Sequence, residues 1–323
     1  MKYLITGGSG FIGTHLIRHL LQKGDVSILN LDIDECEISD TRLQSIQVDI
    51  KDINALYSIK PSTKFDICIH LAALCKEPGY EWEDYFRTNH LGTNNIIRLC
   101  AKLNVEKFFF TSTMMVYQAG EVKRTEDSIT APDTAYGISK LLAEKELIAW
   151  KKEDDKRKAV IIRPAVVFGE GENANFTRLY KSLKKGFFPF VGKSSTIKSS
   201  IYVKELINFI DFLIEKDLTI DIYNMGFPEN QSIRRIVSTF KQVFNFKSIN
   251  PILPYGLLIL GSYFFEFLNT LGLKNSIHHR RIQKLYFSTD IYPSNALKEG
   301  YTFRFDFESS LLDWKDSKDS NLD

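Results

Sequence analysis

Short apolar runs alternate with amphipathic stretches along the first 165 residues of the chain. Several of these runs are continuously apolar, as strands covered on both faces of a sheet require. The amphipathic stretches have the spacing of helices. This alternation predicts a doubly wound, parallel α/β sheet. The predicted strands are Lys2–Thr6, Val26–Leu31, Ser45–Val48, Phe65–Leu71, Lys107–Ser112 and Ala159–Arg163. The predicted helices are Phe11–Lys23, Tyr85–Leu103 and Thr134–Lys152.

The alternation stops after Arg163-Pro164, where a loop rich in Gly, Asn and Glu follows. It returns only briefly, at Ile201–Ile214 and Ile220–Met225, and the remainder is mainly helical. The chain is long enough for two closely joined units. We therefore predict two of them. The first contains 1–165, with 200–226 returning to it, and the smaller second unit contains 166–199 and 227–323.

One stretch, 248–265, carries no charged residue. Two prolines and two glycines interrupt it, and it is shorter than the roughly 20 apolar residues that a membrane span needs. We expect it to form a buried helix or a helix at an interface. Peripheral membrane contact and an oligomer surface are the alternatives.

Composition narrows the class of protein. Hydrophobic residues make up 44% of the chain and charged residues 25%, which is ordinary for a globular enzyme. A net charge of +2 gives no reason to expect nucleic acid or an anionic membrane as a partner. Four cysteines without C-x-x-C spacing indicate reduced thiols, so we expect a cytoplasmic protein. His278-His279 lack the spacing of metal ligands, and no metal site is expected.

A glycine-rich turn joins the first predicted strand to the first predicted helix. Its glycines, Gly7, Gly10 and Gly13, permit a tight turn and close approach of the backbone to a pyrophosphate. Asp32 ends the second strand, where a carboxylate can accept hydrogen bonds from the adenosine ribose and repel a 2′-phosphate. The pattern therefore predicts a dinucleotide site that prefers NAD to NADP. Asp34 is the alternative ribose ligand.

Tyr136 and Lys140 are four residues apart on a predicted helix and so share one face. A nearby ammonium favours the phenolate form of tyrosine and lowers its pKa, which would allow Tyr136 to exchange a proton with a sugar hydroxyl. The spacing alone is weak evidence. Tyr180 and Lys184 have the same spacing, and they represent the chance match expected in a chain of this composition.

An ordered set of motifs runs from Thr6 to about Trp314, nearly the whole chain. On this set the sequence resembles the extended short-chain dehydrogenase/reductase family, which contains nucleotide-sugar epimerases, dehydratases and ketoreductases. The resemblance implies a Rossmann fold, with an NAD-binding domain in the first predicted unit and a substrate-binding domain in the second. The motifs are Gly7-x-x-Gly10-x-x-Gly13, Asp32, Asp49-Ile50, His70-Leu71-Ala72-Ala73, Asn89-x-x-Gly92-Thr93, Thr111-Ser112-Thr113, Val116-Tyr117, Tyr136-x-x-x-Lys140, Arg163-Pro164 and Phe168-Gly169.

The resemblance also implies a set of cofactor-binding residues. Asp49 would accept from the adenine amine, and the small side chains after the fourth strand would let the cofactor approach. Asn89 would lie behind this site, and a buried Asn that bridges backbone groups is a compatible alternative. The implied set is Gly7, Gly10, Phe11, Ile12, Gly13, Asp32, Asp49, Ile50, Leu71, Ala72, Ala73, Asn89, Tyr136, Lys140 and Pro164.

The family's catalytic residues would be Thr113, Tyr136 and Lys140, with Thr113 donating a hydrogen bond to the reacting sugar oxygen. Thr111 and Ser112 are neighbouring hydroxyls, and the alternation of a strand decides which of them point inward. In 4,6-dehydratases of the family an acidic pair follows the threonine. Met114 and Met115 stand there in this chain, and a thioether cannot transfer a proton, so water elimination is disfavoured.

Two reactions fit the remaining residues. In a 4-epimerase the hydride returns to the other face of the 4-keto sugar, whereas a 4-ketoreductase takes a hydride once from external NAD(P)H. Asp32 favours NAD and therefore epimerisation, and a UDP-sugar used in polysaccharide biosynthesis is the expected substrate. A steroid-type oxidoreductase and a regulator without turnover are rivals from other classes.

The substrate contacts are also implied by the resemblance. They are Thr113, Asn175, Lys198 and Arg280, of which the two cations would hold a nucleotide diphosphate. A solvated surface residue is the alternative for each of the last three. We expect a homodimer with no nucleic acid partner and no membrane contact.

Overall fold

The fold is described from a computed structural model of the chain. It describes residues 1–61, 64–77, 79–217, 220–270 and 279–318. Nothing is stated about the residues between these ranges or after them.

A seven-stranded sheet forms the centre of the molecule, and all of its strands are parallel. Its order is β11-β6-β5-β4-β1-β2-β3, so the direction of the strand order reverses between β1 and β4, where ligands bind in open α/β sheets. The predicted Rossmann-type, doubly wound fold is thus confirmed. The strands are β1 (Lys2–Thr6), β2 (Ser27–Asp32), β3 (Leu43–Gln47), β4 (Ile67–His70), β5 (Lys107–Thr111), β6 (Lys158–Pro164) and β11 (Ile222–Met225).

Helices cover both faces of this sheet. Their bounds within the first 165 residues are α1 (Phe11–Gln22), α2 (Ile53–Ser58), α3 (Trp82–Tyr85), α4 (Thr93–Lys102) and α5 (Ala135–Lys152). The single helix predicted over Tyr85–Leu103 is wrong in one respect: a π-helical segment, Phe86–Gly92, separates α3 from α4. Asn89 in this segment forms hydrogen bonds with the loop after β4, and helical periodicity in the sequence does not reveal such contacts.

The chain after Pro164 forms short two-stranded ladders and helices, and α7 and β11 bring it back to the central sheet. Aromatic side chains dominate the core here, with Phe168 stacked on Phe176 at 4.5 Å and near Trp314 at 6.0 Å. The strands are β7 (Val166–Phe168), β8 (Phe190–Val191), β9 (Ile197–Lys198), β10 (Ser200–Tyr202), β12 (Gln231–Ser232) and β13 (Ile252–Leu253). The helices are α6 (Asn175–Lys184), α7 (Val203–Ile214), α8 (Ile233–Phe244), α9 (Tyr255–Thr270), α10 (His279–Tyr286), α11 (Ser294–Lys298) and α12 (Phe307–Lys318).

The charge-free stretch lies in β13 and in α9, and the structure does not bury it. Leu257 is 67% exposed and Leu260 is 69% exposed. The expectation of a buried helix is therefore wrong for this face, and the expectation of an interface stays a prediction. Within the described ranges, no helix combines the length and the apolar character that crossing a membrane requires.

Candidate active site

The glycine turn lies where β1 ends, next to the end of β4. Gly7 has a φ of +75°, and a Cβ there would lie 2.5 Å from the backbone nitrogen of Ala72. A Cβ on Gly13 would lie 2.3 Å from the carbonyl oxygen of Gly7. Any side chain at either position would push the turn away from α1 or from β4. The turn thus keeps its backbone N–H groups at the start of α1, where anions bind.

Asp32 braces this turn from the end of β2. Its carboxylate accepts the backbone N–H of Ser9 at 2.8 Å and that of Asp34 at 3.1 Å, and its exposed fraction is only 9%. Asp34 itself is exposed, and its carbonyl oxygen accepts from the Ser9 hydroxyl. Of the two candidate ribose ligands, Asp32 is the carboxylate held against the glycine turn.

Asp49 and Ile50 follow β3 on the same side of the sheet. The Asp49 carboxylate lies 3.3 Å from the ammonium of Lys51 and is partly exposed, so it can still accept further hydrogen bonds. Ile50 is buried and packs where Gly92 lacks a side chain. Ile50 therefore packs against the last residue of the π-helical segment.

A buried chain of hydroxyls and an imidazole crosses the site behind β1 and β4. The Thr93 hydroxyl donates to the carbonyl oxygen of Asn89 at 2.6 Å, so it must accept from Nε2 of His70 at 2.9 Å. Nδ1 of His70 then accepts from the Thr6 hydroxyl at 2.5 Å. Burial, with the neighbouring Lys140 charge, lowers the pKa of His70 well below its usual range and keeps the imidazole neutral. This series of hydrogen bonds was not predicted from the sequence.

Asn89 is a buried residue whose side chain bridges backbone groups, which is the alternative role given for it in the sequence analysis. Its side chain accepts from the N–H of Leu74 at 2.8 Å and donates to the carbonyl oxygen of Leu74 at 3.0 Å. It also donates to the hydroxyl of Ser139 on α5 at 3.1 Å. Asn89 thereby ties the loop after β4 to α5. Leu71, Ala72 and Ala73 begin that loop, all of them half-buried.

The active-site turn follows β5 and packs against the start of α5. Thr113 precedes a single 3₁₀ turn, Met114–Val116. A Cβ on Gly137 would lie 2.3 Å from the carbonyl oxygen of Met115, so the absence of a side chain lets α5 rest directly on the turn. Thr134 caps α5 by accepting the N–H of Gly137 at 3.1 Å. These contacts bring Tyr136 to Thr113.

Thr113 has the hydroxyl that faces Tyr136. Its Oγ1 accepts the N–H of Met115 at 3.1 Å, which leaves its own proton to be donated elsewhere. The neighbouring hydroxyl of Ser112 donates instead to Glu144 at 2.5 Å. Burial raises the pKa of Tyr136 above its ordinary value of 10, and Cys75 adds to this, whereas hydrogen bonding with Thr113 lowers it. The structure thus brings Thr113 and Tyr136 together.

Lys140 is buried, with 1% of its side chain exposed, and its ammonium lies 4.1 Å from the centre of the Phe110 ring. Burial lowers the pKa of Lys140 from 10.5 to about 7, although the Glu144 carboxylate acts in the opposite direction. Lys140 is therefore only partly charged at neutral pH. In this structure burial dominates at Tyr136, and the lowering of its pKa expected from the Lys140 pairing is not found.

A buried ion pair that the sequence analysis missed lies one helical turn beyond Lys140. Glu144 accepts from Nε and from an Nη of Arg163 at 2.9 and 2.6 Å, and both side chains are almost fully buried. Arg163 also donates to the hydroxyl of Tyr117 at 2.7 Å. The i, i+4 spacing from Lys140 to Glu144 was the available signal. This pair fixes α5 to β6, which ends at the buried Pro164.

The three residues expected to contact substrate lie apart from this turn. Asn175 is exposed at the first position of α6. The ammonium of Lys198 donates to the carbonyl oxygens of Lys284 and Phe287, both at 2.5 Å, at the end of α10. Burial lowers the pKa of Lys198 to about 8, against the effect of Glu121. Arg280 lies on α10, and its side chain is outside the described residues.

A cavity of about 500 Å³ lies in the C-terminal part of the chain. Two cations face it. Lys193 donates to the carboxylate of Glu121 at 2.8 Å, and Arg234 donates to the hydroxyl of Ser194 at 2.9 Å. Glu121 belongs to the loop that follows the active-site turn, so this loop joins the cavity to the region of Thr113. None of the residues that line the cavity is among the predicted site residues; they are Gly192, Lys193, Ser194, Ser195, Ser232, Arg234 and Ile252. No group of three metal-ligating side chains occurs in the part of the chain that the structure describes.

Comparisons with known proteins agree with this geometry. The chain matches the model of the NAD dependent epimerase/dehydratase family over residues 3–226. It is 29% identical to the N-acetyl-α-D-glucosaminyl-diphospho-ditrans,octacis-undecaprenol 4-epimerase of Escherichia coli O157:H7, over 95% of this chain and 92% of that relative. It is 31% identical to a UDP-glucose 4-epimerase of Vibrio cholerae, over 64% of each chain.

A solved structure shares the fold over the whole length. It is a UDP-glucuronic acid 4-epimerase from Bacillus cereus in complex with UDP-glucuronic acid and NAD. The identity is 21%, the TM-score is 0.77, and each chain is covered completely.

Proposed function

Because the chain belongs to the NAD-dependent epimerase/dehydratase family, we propose that it catalyses 4-epimerisation of a UDP-sugar through a transient 4-keto intermediate. It is an NAD-dependent enzyme of the extended short-chain dehydrogenase/reductase type. The observation that carries the proposal is the approach of Thr113 to Tyr136 beside two thioethers. This arrangement offers one hydroxyl for proton transfer and, next to Thr113, no acid–base pair for the elimination of water.

The residues present fit the cofactor. The glycine turn has no side chain that would fill the space before α1, and a carboxylate lies beside it for the ribose hydroxyls. We propose that Gly7, Gly10, Phe11, Ile12 and Gly13 hold the pyrophosphate and Asp32 the ribose. The loop after β4 would border the central part of the cofactor, and Pro164 its reactive end. Bound NAD supplies the hydride acceptor for the reaction.

The proton at the sugar O4 is assigned to Tyr136. Its phenolate accepts that proton as the carbon is oxidised, and the resulting phenol returns the proton on reduction. Thr113 donates to the same oxygen and stabilises negative charge as it develops. Lys140, when protonated, favours the phenolate of Tyr136. Because burial raises the pKa of Tyr136 in the chain alone, proton transfer needs positive charge close to the phenol, which both Lys140 and an oxidised nicotinamide can provide.

The diphosphate end of the substrate is assigned to the C-terminal part of the chain. The ammonium of Lys198 holds the last turn of α10, the helix that carries Arg280, so Lys198 would orient Arg280 as well as add charge. The cavity lined by Lys193 and Arg234 offers further cations for an anion. Asn175 at the start of α6 would contact the sugar. These assignments make 166–199 and 227–323 the substrate-binding domain.

A second candidate substrate is a sugar carried on a polyprenyl diphosphate. One relative that matches nearly the whole chain is named for such a substrate, and the exposed apolar residues of α9 favour contact with a lipid chain. The reacting sugar and its diphosphate are chemically alike in the two candidates. Only the group beyond the diphosphate differs.

The test is incubation of the purified protein with UDP-glucose, UDP-N-acetylglucosamine, UDP-glucuronic acid and a polyprenyl-diphosphate N-acetylglucosamine, each with and without added NADH. We expect a 4-epimer of one UDP-sugar without added NADH, measured by chromatographic separation of the products. Epimerisation of the polyprenyl substrate alone would support the second candidate. Net oxidation of NADH by a 4-keto sugar, with no epimer in its absence, would instead show a ketoreductase.

The cofactor assignment predicts that Asp32→Ser weakens NAD binding by about 10-fold and reduces the preference over NADP, because the ribose loses a charged acceptor and the 2′-phosphate loses a repulsive one. A fluorescence titration with both nucleotides measures the effect. Asp34→Ser is the matched control and should bind NAD normally. The opposite result, with Asp34→Ser impaired and Asp32→Ser normal, would transfer the role to Asp34.

A further inference from the structure

Exposed apolar side chains are concentrated in one part of the chain. Of the nineteen large hydrophobic side chains that the described residues leave exposed, nine lie at Phe187 or within 249–287. Single exposed apolar residues are normal on protein surfaces, but a cluster indicates a binding surface. Six of the nine have more than half of their area exposed: Tyr263 and the five all-hydrocarbon side chains Phe187, Ile249, Ile252, Leu257 and Leu260.

The backbone holds these residues together. Phe187 is bridged to Ile249, and Ile252 in β13 pairs with Phe190 in β8. After Pro254 the chain enters α9, where Leu257 and Leu260 are three residues apart and share one face. Tyr255 at the start of α9 stacks on Tyr286 at 4.1 Å, which fixes α9 against α10. The exposed residues are thus presented by a packed strand pair and helix.

Cations accompany the apolar residues. Lys184 and Lys185 are exposed just before Phe187, and Lys247 is exposed just before Ile249. We call these three lysines and the five apolar residues the apolar–basic face. The segments that carry it, 173–204 and 230–265, contain eleven Lys or Arg and no Asp or Glu. The rest of the chain contains 31 Lys or Arg against 40 Asp or Glu, so the positive charge is strongly localised although the whole chain is nearly neutral.

We propose that the apolar–basic face docks on the surface of an anionic lipid bilayer. Lysines attract anionic headgroups, and apolar side chains enter the boundary between headgroups and acyl chains, which are the two contributions that hold peripheral proteins on membranes. A second copy of the chain is a poorer occupant, because a symmetric contact would bring these lysines near their own copies with no acidic residue in either segment. This proposal replaces the sequence-based expectation of no membrane contact.

Docking has a consequence for the cavity. Ile252 belongs both to the apolar–basic face and to the lining of the cavity that Lys193 and Arg234 face. A docked protein would therefore present this cavity near the level of the headgroups, where the diphosphate of a lipid-linked sugar lies. This consequence rests on the proposed function with its second candidate substrate, whereas the docking itself does not.

The test is flotation of the full-length protein with vesicles of phosphatidylcholine alone or with about one third phosphatidylglycerol. We expect binding to the anionic vesicles only, decreasing as salt is raised. The triple variant Lys184→Glu/Lys185→Glu/Lys247→Glu should bind at least about 100-fold more weakly. Leu257→Asp/Leu260→Asp should also lose binding. Equal partitioning of wild type and both variants, or no binding to either vesicle, would overturn the proposal.

Two controls keep the outcome interpretable. Lys152→Glu/Lys156→Glu reverses two exposed charges outside the segments that carry the apolar–basic face. Ile129→Asp replaces an apolar side chain that is 83% exposed and also lies outside those segments. Both variants should bind vesicles as the wild type does. Epimerisation of a UDP-sugar without vesicles at the wild-type rate shows that a variant is folded. Absence of epimerisation by the wild type itself would count against the proposed function alone. A dimer in gel filtration that Leu257→Asp/Leu260→Asp dissociates, without vesicle binding, would assign the face to a second copy instead.

Discussion

Replacing Tyr136 with phenylalanine is expected to lower turnover by at least about 100-fold while the protein still binds NAD. The substitution removes only the hydroxyl that faces Thr113, and the aromatic ring keeps its contact with Tyr85, whose ring centre is 6.3 Å away. The reaction then loses the group that exchanges a proton with the sugar oxygen. Steady-state kinetics with the sugar substrate that the panel above selects, together with an NAD titration, measure the two properties separately.

Tyr180→Phe is the matched control for this variant. Tyr180 has a lysine at the same spacing, but it is buried among Phe244 and Phe246 at ring distances of 5.0 and 5.1 Å, away from the active-site turn. Its removal should leave turnover close to that of the wild type. If Tyr136→Phe turned over normally, the proton-transfer role assigned to Tyr136 would be wrong, whatever the substrate proved to be.

Replacing Lys140 with methionine is expected to lower turnover by at least about 100-fold and, at the same time, to stabilise the cofactor-free protein. Burial lowers the pKa of Lys140 to about 7. At neutral pH the lysine is fully protonated in the unfolded chain, and either burying that charge or releasing the proton on folding costs free energy. A difference of this size is worth about 3–5 kcal/mol, and methionine avoids it while filling a similar volume. We expect a gain of about 2–4 kcal/mol in the free energy of unfolding at pH 7.

The sign of the pH dependence provides a further check. Below pH 7 the charged ammonium is buried and the full penalty is present. Between pH 7 and about 10.5 the unfolded chain binds a proton that the folded chain lacks. The free energy of unfolding of the wild type therefore rises with pH and approaches that of the Lys140→Met variant. Denaturant unfolding at pH 6, 8 and 10 measures this convergence. Lys145→Met, on the exposed side of α5, should leave stability within about 0.5 kcal/mol. A destabilised Lys140→Met protein would contradict the account.

The sequence predicted the parts of the fold that depend on local pattern. The bounds of β1 were predicted without error, and those of α5 to within one residue, because apolar runs and caps mark them in the sequence. The π-helical segment was missed; Asn89 within it bonds to Leu74 and Ser139, which are 15 and 50 residues away. Periodicity alone does not reveal such partners.

The candidate site likewise contains features that the sequence predicted and features that it did not. The glycine turn, Asp32 and the Tyr136 spacing were visible in the sequence because each is marked locally: by glycines between a strand and a helix, by an acidic residue that ends a strand, and by a four-residue spacing on one helix. The position of the Lys198 ammonium was not, because its acceptors come from residues 86 and 89 positions later. The choice between Ser112 and Thr113 also depends on a tertiary contact, the hydrogen bond from Ser112 to Glu144. The exposure of α9 depends on what packs against it, which composition does not specify.

The contact between Gly137 and the carbonyl oxygen of Met115 bears on how such an enzyme could diverge. The contact fixes the active-site turn through its backbone, so the position of Thr113 does not depend on which side chain stands at 115. An exchange of Met115 for an acidic residue would then add a new proton carrier without displacing the existing hydroxyls. New chemistry would then be added at the turn while the hydroxyls of Thr113 and Tyr136 keep their positions.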